Sequence, residues 1–438
     1  MNNTNKNYDI LIVSEDYPGY GGFGTYAFNL YNQMNQNVYN VGLLYFTRMN
    51  DKSKMNTPMN NNIYSIYIPN FFCSVNMIIE EAYHSKILEK NIIDALIKHG
   101  INKVKLVISI SPTSLALTNK FIEADVHIYR MGHIHFKKIE DVTDLWNTSQ
   151  KNIDTIMVPN YIADKILKRD NKILVIPNSP LSEIYIRQVK TKLQLKNKIC
   201  SNMVGLSYNI NNGFTGKKKY DIIFVTSDVS RNVKNFTLVQ KIFEKFDVNH
   251  KILIGHNVKH HNFKNTTVHE YLPNASLLKL LAETKILLLP SYVDAGPNVV
   301  LESLMCKTIP IMALNTGFSS LFSDKYVCKT MELEEWCMQI KNVLDTYNKI
   351  VYDKEFSNIL HKFDNDKIKF WDLVNSSMIE SAIINYAHPS SDTDSISLKL
   401  LTYDENPVPS SISITNIDND TLHNITADEK DLAILKNR

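Results

Sequence analysis

Short apolar runs alternate with amphipathic stretches along most of the chain. Ile10 to Val13, Val41 to Phe46, Val104 to Ile110 and Val126 to Tyr129 are apolar, bounded by polar residues, and read as strands. Thr155 to Val158 and Ile173 to Ile176 extend the set. Between them, Thr25 to Met34 places Tyr26, Leu30 and Met34 on one helical side, and Ile78 to Leu96 has helical spacing. Apolar strands alternating with helices predict a parallel sheet covered on both faces.

The polar stretch from Gln188 to Lys219 contains Asn-Asn-Gly and reads as a boundary or inserted loop. Its lysine run, Lys217 to Lys219, reads as a solvated turn rather than a binding patch. The alternation then restarts. Ile222 to Thr226, Lys251 to Gly255, Ile286 to Leu289 and Ile309 to Ala313 read as strands. Phe236 to Phe246, Leu277 to Ala282, Asn298 to Met305 and Phe370 to Tyr386 read as helices. The pattern therefore describes two αβ units in tandem. From about His388 the chain is rich in Ser, Thr, Asp and Asn and is expected to be mobile, with Ile396 to Leu401 and Ile412 to Ile417 as candidate edge strands.

Length and composition agree with that reading. The 438 residues suffice for two or three domains, and 44% hydrophobic with 21% charged residues is ordinary globular composition. Net charge is only +3, so bulk nucleic-acid binding has little support and no nucleic-acid partner is expected. The segment from residue 386 onward carries nine acidic and four basic residues, which leaves the body before it moderately basic and suited to a phosphate-bearing ligand. Five scattered cysteines without a CxxC pair fit neither a disulfide framework nor a structural zinc site. No signal-peptide core and no run of 18 apolar residues occur, so a cytoplasmic protein is expected. Phe71-Phe72 is a candidate for peripheral membrane contact, with a buried loop as the simpler alternative.

Gly19-Tyr20-Gly21-Gly22-Phe23-Gly24 matches G-x-G-x-x-G between a strand and a helix. Two features argue against a dinucleotide site. Ser14 to Pro18 separate the strand from Gly19, and Tyr45 to Arg48 stand where an acidic residue is expected about 20 positions on. The glycines still allow close ligand approach, and amides at a helix N-terminus favour an anion. A phosphate or substrate loop is favoured over a plain turn, because four of the 13 glycines fall within six residues.

The most informative segment runs from Leu287 to Ser303. An apolar strand ends at Pro290, a loop carries Asp294 and Gly296, and a helix begins near Pro297. Glu302 falls about one turn inside that helix. Both carboxylates are thereby placed near the carboxyl end of a parallel sheet, where open αβ sheets bind ligands. The amides of Gly296, Asn298 and Val299 sit at a positive helix end suited to a diphosphate. A solvated loop Asp and a surface Glu are the alternative.

This segment resembles the acidic signature of retaining GT-B-fold glycosyltransferases, especially glycosyltransferase family 4, with Asp294 at the first Glu of E-x7-E and Glu302 at the second. Pro18 to Gly24, Ile153 to Val158, Val175 to Asn178, Phe224 to Asn235 and Ser357 to Trp371 resemble further family landmarks in order. Departures are Asp294 for Glu, Ser179 for Gly, and Thr226-Ser227 for the usual Gly-Arg. The resemblance implies GT-B architecture: two Rossmann-like α/β domains facing across a cleft. The acceptor domain would span 1–185 and the donor domain 186–370, followed by a crossing helix over 371–387 and a polar tail over 388–438.

The same resemblance implies a UDP- or GDP-sugar donor, no cofactor and no metal, and a glycan, lipid or protein acceptor. Glu302 would hold the ribose and Asp294 the transferred sugar. Gly21, Gly22, Arg231, Lys234, Gly296, Asn298 and Val299 would bind the diphosphate. Preorganised cations and amides there would stabilise the leaving group. His133 stands roughly where the family carries a histidine near the sugar, with His135 as the competitor. The pairs Asp364/Asp366, Asp392/Asp394 and Asp418/Asp420 read as surface charge rather than a metal-nucleotide site, and His260-His261 as a loop. A catalytically silent GT-B-like partner subunit and a nucleotide-sugar epimerase are the alternatives, with an NAD oxidoreductase last.

Overall fold

A computed structural model describes residues 8–15, 21–34, 39–47, 62–67, 86–101, 103–131, 166–201, 216–246, 250–270, 272–350, 354–387, 396–400 and 410–414. The first unit contains β1 (Tyr8–Ser14), α1 (Gly21–Met34), β2 (Val41–Thr47), β3 (Ile63–Tyr67), α2 (Lys86–His99) and β4 (Lys103–Ser109). It continues with α3 (Pro112–Phe121), β5 (Glu123–Met131), β6 (Leu174–Pro177) and α4 (Pro180–Leu193). Its six strands run parallel in the order β3-β2-β1-β4-β5-β6.

The second unit contains β7 (Tyr220–Asp228), α5 (Phe236–Lys245), β8 (Lys251–His256), β9 (Thr266–His269), α6 (Asn274–Ala282) and β10 (Thr284–Leu289). It ends with α7 (Asn298–Met305), β11 (Ile309–Ala313), β12 (Val327–Cys328), α8 (Leu333–Ile350) and α9 (Lys354–Ala387). Its order is β12-β11-β10-β7-β8-β9, again all parallel. Both sheets thus have doubly wound order, with the direction of strand addition reversing between β1 and β4 and between β7 and β10.

The central strands are buried apolar runs, as both faces carry helices. The core positions Leu106, Ile108, Ile222, Ile223, Leu287 and Leu288 are all buried. Helix α5 turns Leu238, Val239, Ile242 and Phe243 inward, and each such side chain contributes about 1.5–3 kcal/mol on burial. Helix α9 links the units. Its Phe363 packs edge-on to Phe318 at 5.3 Å, and further along Ser381 Oγ donates to Asp125 Oδ2 at 2.7 Å beside the first sheet. Tyr39 Oη also donates to Asn375 Oδ1 at 3.1 Å.

Several expectations are refined. The glycine run is not all loop: Gly21, Gly22 and Gly24 already belong to α1. The polar stretch expected from Gln188 is helical as far as Leu193, and residue 185 lies inside α4, whose Tyr185, Ile186 and Val189 pack with the first unit. Helix α9 is longer than expected because Phe356, Ile359 and Phe363 extend its apolar face backward. The strands Ile396–Leu400 (β13) and Ser410–Ile414 (β14) pair antiparallel with each other, not with either large sheet. Lys218 is not a solvated turn residue. Its Nζ donates to the carbonyls of Thr284 at 2.7 Å and Cys306 at 2.9 Å, and burial pulls its pKa down to about 8. The described cysteines, Cys200, Cys306, Cys328 and Cys337, are free thiols. Among the described residues, no helix is long and apolar enough to cross a membrane. Residues 71–72 and 155–158 lie outside the described residues.

Candidate functional site

Three loops leave the carboxyl end of the second sheet and converge. The loop after β7 makes a 3-10 turn, Asn232–Lys234, and enters α5 through Asn235 in the left-handed region at φ 50°. The loop after β10 is pinned to it, because the Tyr292 amide donates to the Val233 carbonyl at 2.9 Å. That contact brings Lys234 to Asp294, with Nζ 2.5 Å from Oδ2. The loop after β11 closes the third side. The Asp294 amide donates to Asn315 O at 3.1 Å, and the Gly317 amide donates to Asp294 O at 2.7 Å.

The two carboxylates have different surroundings. Asp294 keeps 16% of its side chain exposed and is ion-paired to Lys234. Glu302, one turn into α7, is only 4% exposed, and Asn274 at the start of α6 donates Nδ2 to its Oε1 at 2.9 Å. Arg231 is exposed, with Nη1 donating to Ser227 Oγ at 3.2 Å.

Helix α7 begins after Pro297 without a side-chain cap and without an acidic residue in its first turn. Helix α1 likewise has no acid in its first turn. Asn298 Nδ2 donates to Gly22 O at 3.1 Å, so the two helix starts meet across the interface between units. The first amides of a helix lack intrahelical acceptors, and the dipole adds positive potential. Two such ends placed together, with Lys234 paired to Asp294 in the loop that leads into α7, form an environment suited to an anion.

The structure therefore joins Lys234 to Asp294 and Gly22 to Asn298, and places Val299 beside the latter. Gly21 opens α1. Gly296 is packed against the first unit: a Cβ there would stand 2.5 Å from Asn178 Nδ2. His133 and His135 lie outside the described residues. Asp364 and Asp366 belong to α9, where Asp366 is buried rather than on the surface, and burial raises its pKa to about 6. His261 is packed against Phe236, ring centroids 4.8 Å apart. Among the described residues, no group of three or more His, Cys, Asp or Glu side chains could hold a metal.

Sequence reasoning missed Asn274, whose position after Pro273 and before an apolar run is a helix-start signal. It also missed Arg130 at the end of β5. This residue is 5% exposed, its guanidinium lies 3.6 Å from the Tyr26 ring centroid of α1, and its Nε has no hydrogen-bond partner. Burial lowers the Arg130 pKa and pushes the Tyr26 hydroxyl up to about 12. An arginine at the buried end of a strand was the available signal.

These two doubly wound units, facing each other at their site-bearing ends, define the GT-B fold. Solved structures agree. The chain is similar to sucrose-phosphate synthase from Thermosynechococcus elongatus at 13% identity and TM-score 0.60, covering 84% of this chain and 98% of that one. It is similar to HepE of Anabaena, solved in complex with UDP and glucose, at 12% identity and TM-score 0.56, covering 84% and 99%. A glycosyltransferase from Rickettsia africae matches at 12% identity and TM-score 0.52, covering 88% and 100%. No family model and no curated protein matches the sequence.

Proposed function

We propose that the protein is a glycosyltransferase that takes a sugar from a nucleoside-diphosphate sugar with retention of configuration and without a metal. The observation that carries the reading is the meeting of the α1 and α7 helix starts through Asn298 and Gly22, with α7 entered from the loop whose Asp294 is paired to Lys234. Amides of Gly22, Asn298 and Val299, with Lys234 and Arg231, would bind the diphosphate. Glu302, held by Asn274, would take the ribose hydroxyls. Asp294 would contact the transferred sugar, and His133 would approach it from the first unit. As the glycosidic C–O bond breaks, negative charge grows on the leaving phosphate, where fixed cations and amides lower the barrier. The first unit would hold a glycan, lipid or protein acceptor.

The HepE structure, described as a complex with UDP and glucose, makes a UDP-sugar the first donor to test. Incubation with UDP-, GDP- and ADP-sugars should release nucleoside diphosphate from one class, at a rate reduced at least tenfold in Asp294→Ala. Absence of release from every donor would contradict the reading. A silent partner subunit is favoured by one observation: Lys234 and Asp294 are engaged with each other. Binding of a nucleotide without any turnover would support it.

A further inference from the structure

The first unit grips the loop that carries Asp294. Ser179, which follows Asn178 at the end of β6, donates its Oγ to the Ala295 carbonyl. Ser182 Oγ reaches the same carbonyl at 3.2 Å and donates to Asn178 Oδ1 at 2.7 Å. The Leu181 amide donates to Gly317 O at 3.4 Å. Two glycines make this approach feasible. A Cβ on Gly296 would stand 2.5 Å from Asn178 Nδ2, and one on Gly317 would fall on the Ala295 carbonyl oxygen and 2.7 Å from Ser179 Oγ. Asn178, Ser179 and Ser182 are all buried. Ser179 also caps α4, accepting from the Ser182 amide at 3.1 Å.

We propose that Ser179 is a positioning residue that fixes the Asp294 loop to the first unit, so that parting of the two units displaces Asp294. The role of Asp294 rests on the donor reading above; the clasp itself does not. The chain of contacts is short. Ala295 is the residue after Asp294, and Gly317 donates its amide to the Asp294 carbonyl. Both anchors of the acidic residue are thus held from the other unit. The Ser179 hydroxyl is the nearer of two donors to the buried Ala295 carbonyl, and losing it leaves that carbonyl with only the longer Ser182 contact. Threonine supplies both the donor and the cap acceptor, whereas alanine supplies neither.

The test is hydrogen exchange on the whole chain, comparing wild type, Ser179→Ala and Ser179→Thr. In Ser179→Ala, amides over 292–299 and 314–318 should exchange about tenfold faster, while those of β7 and β8 stay unchanged. Ser179→Thr should restore protection. Faster exchange confined to the first turn of α4 would reduce Ser179 to a helix cap and overturn the proposal, as would no change. Should Ser179→Ala fail to fold, Ser182→Ala keeps the Ser179 cap acceptor and must loosen 292–299 by a smaller factor. A donor arm separates the two levels. With a turned-over donor, Ser179→Ala should lower kcat at least fivefold and leave the affinity for the bare nucleoside diphosphate within twofold. Loosened exchange with unchanged kcat would support the clasp and contradict the sugar contact of Asp294.

Discussion

Lys234 and Asp294 hold each other, with Nζ 2.5 Å from Oδ2. The cation expected to meet a diphosphate and the carboxylate expected to meet a sugar are therefore one pair. They meet because the Tyr292 amide ties the loop after β10 to the loop after β7. Each side chain is four-fifths buried or more, so the pair lies between surface and core cases. Lys234→Met should cost about 1–3 kcal/mol of stability by stranding Asp294, and the double variant with Asp294→Leu should recover much of it. Chemical denaturation of the four proteins in a double-mutant cycle measures this. Additive effects would contradict the pairing.

Glu302 has a supporting partner in Asn274. Asn274→Ala removes a hydrogen bond from a buried carboxylate and is expected to cost about 1–3 kcal/mol. It should also weaken nucleoside-diphosphate binding several-fold while leaving kcat at saturating donor close to wild type. Calorimetric titration with steady-state kinetics checks both. A fall in kcat with unchanged affinity would place Glu302 elsewhere in the reaction.

His127 gives the fold a pH signature. Its Nε2 lies 2.8 Å from Ser109 Oγ and 3.1 Å from Thr118 Oγ1, and burial lowers its pKa to about 3. Unfolding restores an ordinary value near 6.5, so between about 6.5 and 3 the unfolded chain binds the extra proton. Stability contributed by neutral His127 is complete above 6.5 and is lost as pH falls through that window, at up to about 1.4 kcal/mol per pH unit. Unfolding curves between pH 7 and 4 should show this slope, and His127→Gln should reduce it.

Asp366 acts with the opposite sign. Burial raises its pKa to about 6, Lys369 lies 3.8 Å away, and its Oδ2 has no hydrogen-bond partner. Its contribution is complete below 3.8 and is lost as pH rises through 6. Asp366→Asn should therefore gain stability relative to wild type between pH 4 and pH 7. A pH-independent difference between the two would contradict this.

Much of this architecture is legible in the sequence, for physical reasons that differ by element. Ile309–Ala313 and Asn298–Met305 have the expected bounds, since a buried parallel strand is a continuous apolar run and Pro297 marks the helix start. β9, Thr266–His269, was not anticipated: all four residues are only half-buried, and no apolar run marks an edge strand. α3 was missed because Thr113, Ser114 and Thr118 interrupt its apolar pattern, while its Ser111–Ser114 capping box was readable. At the site, Asp294 and Glu302 stand out by type and spacing, and Lys234 through the family resemblance of its segment. Asn274 did not, and Asn178 and Ser179 were legible only as a family landmark, because the contacts that make them matter join distant loops. Nor does spacing reveal that Gly296 meets Asn178.

A nucleotide-sugar site at the carboxyl end of the second sheet must bind a nucleotide through Glu302. A thermal-shift screen of UDP, GDP, ADP and their sugar conjugates on wild type and Glu302→Ala tests it most directly. A ligand at 100 times its Kd should stabilise the wild type by about 2.7 kcal/mol. Stabilisation by one nucleotide class, lost in Glu302→Ala, is the expected result. No response to any nucleotide, or a response unchanged in the variant, would contradict it.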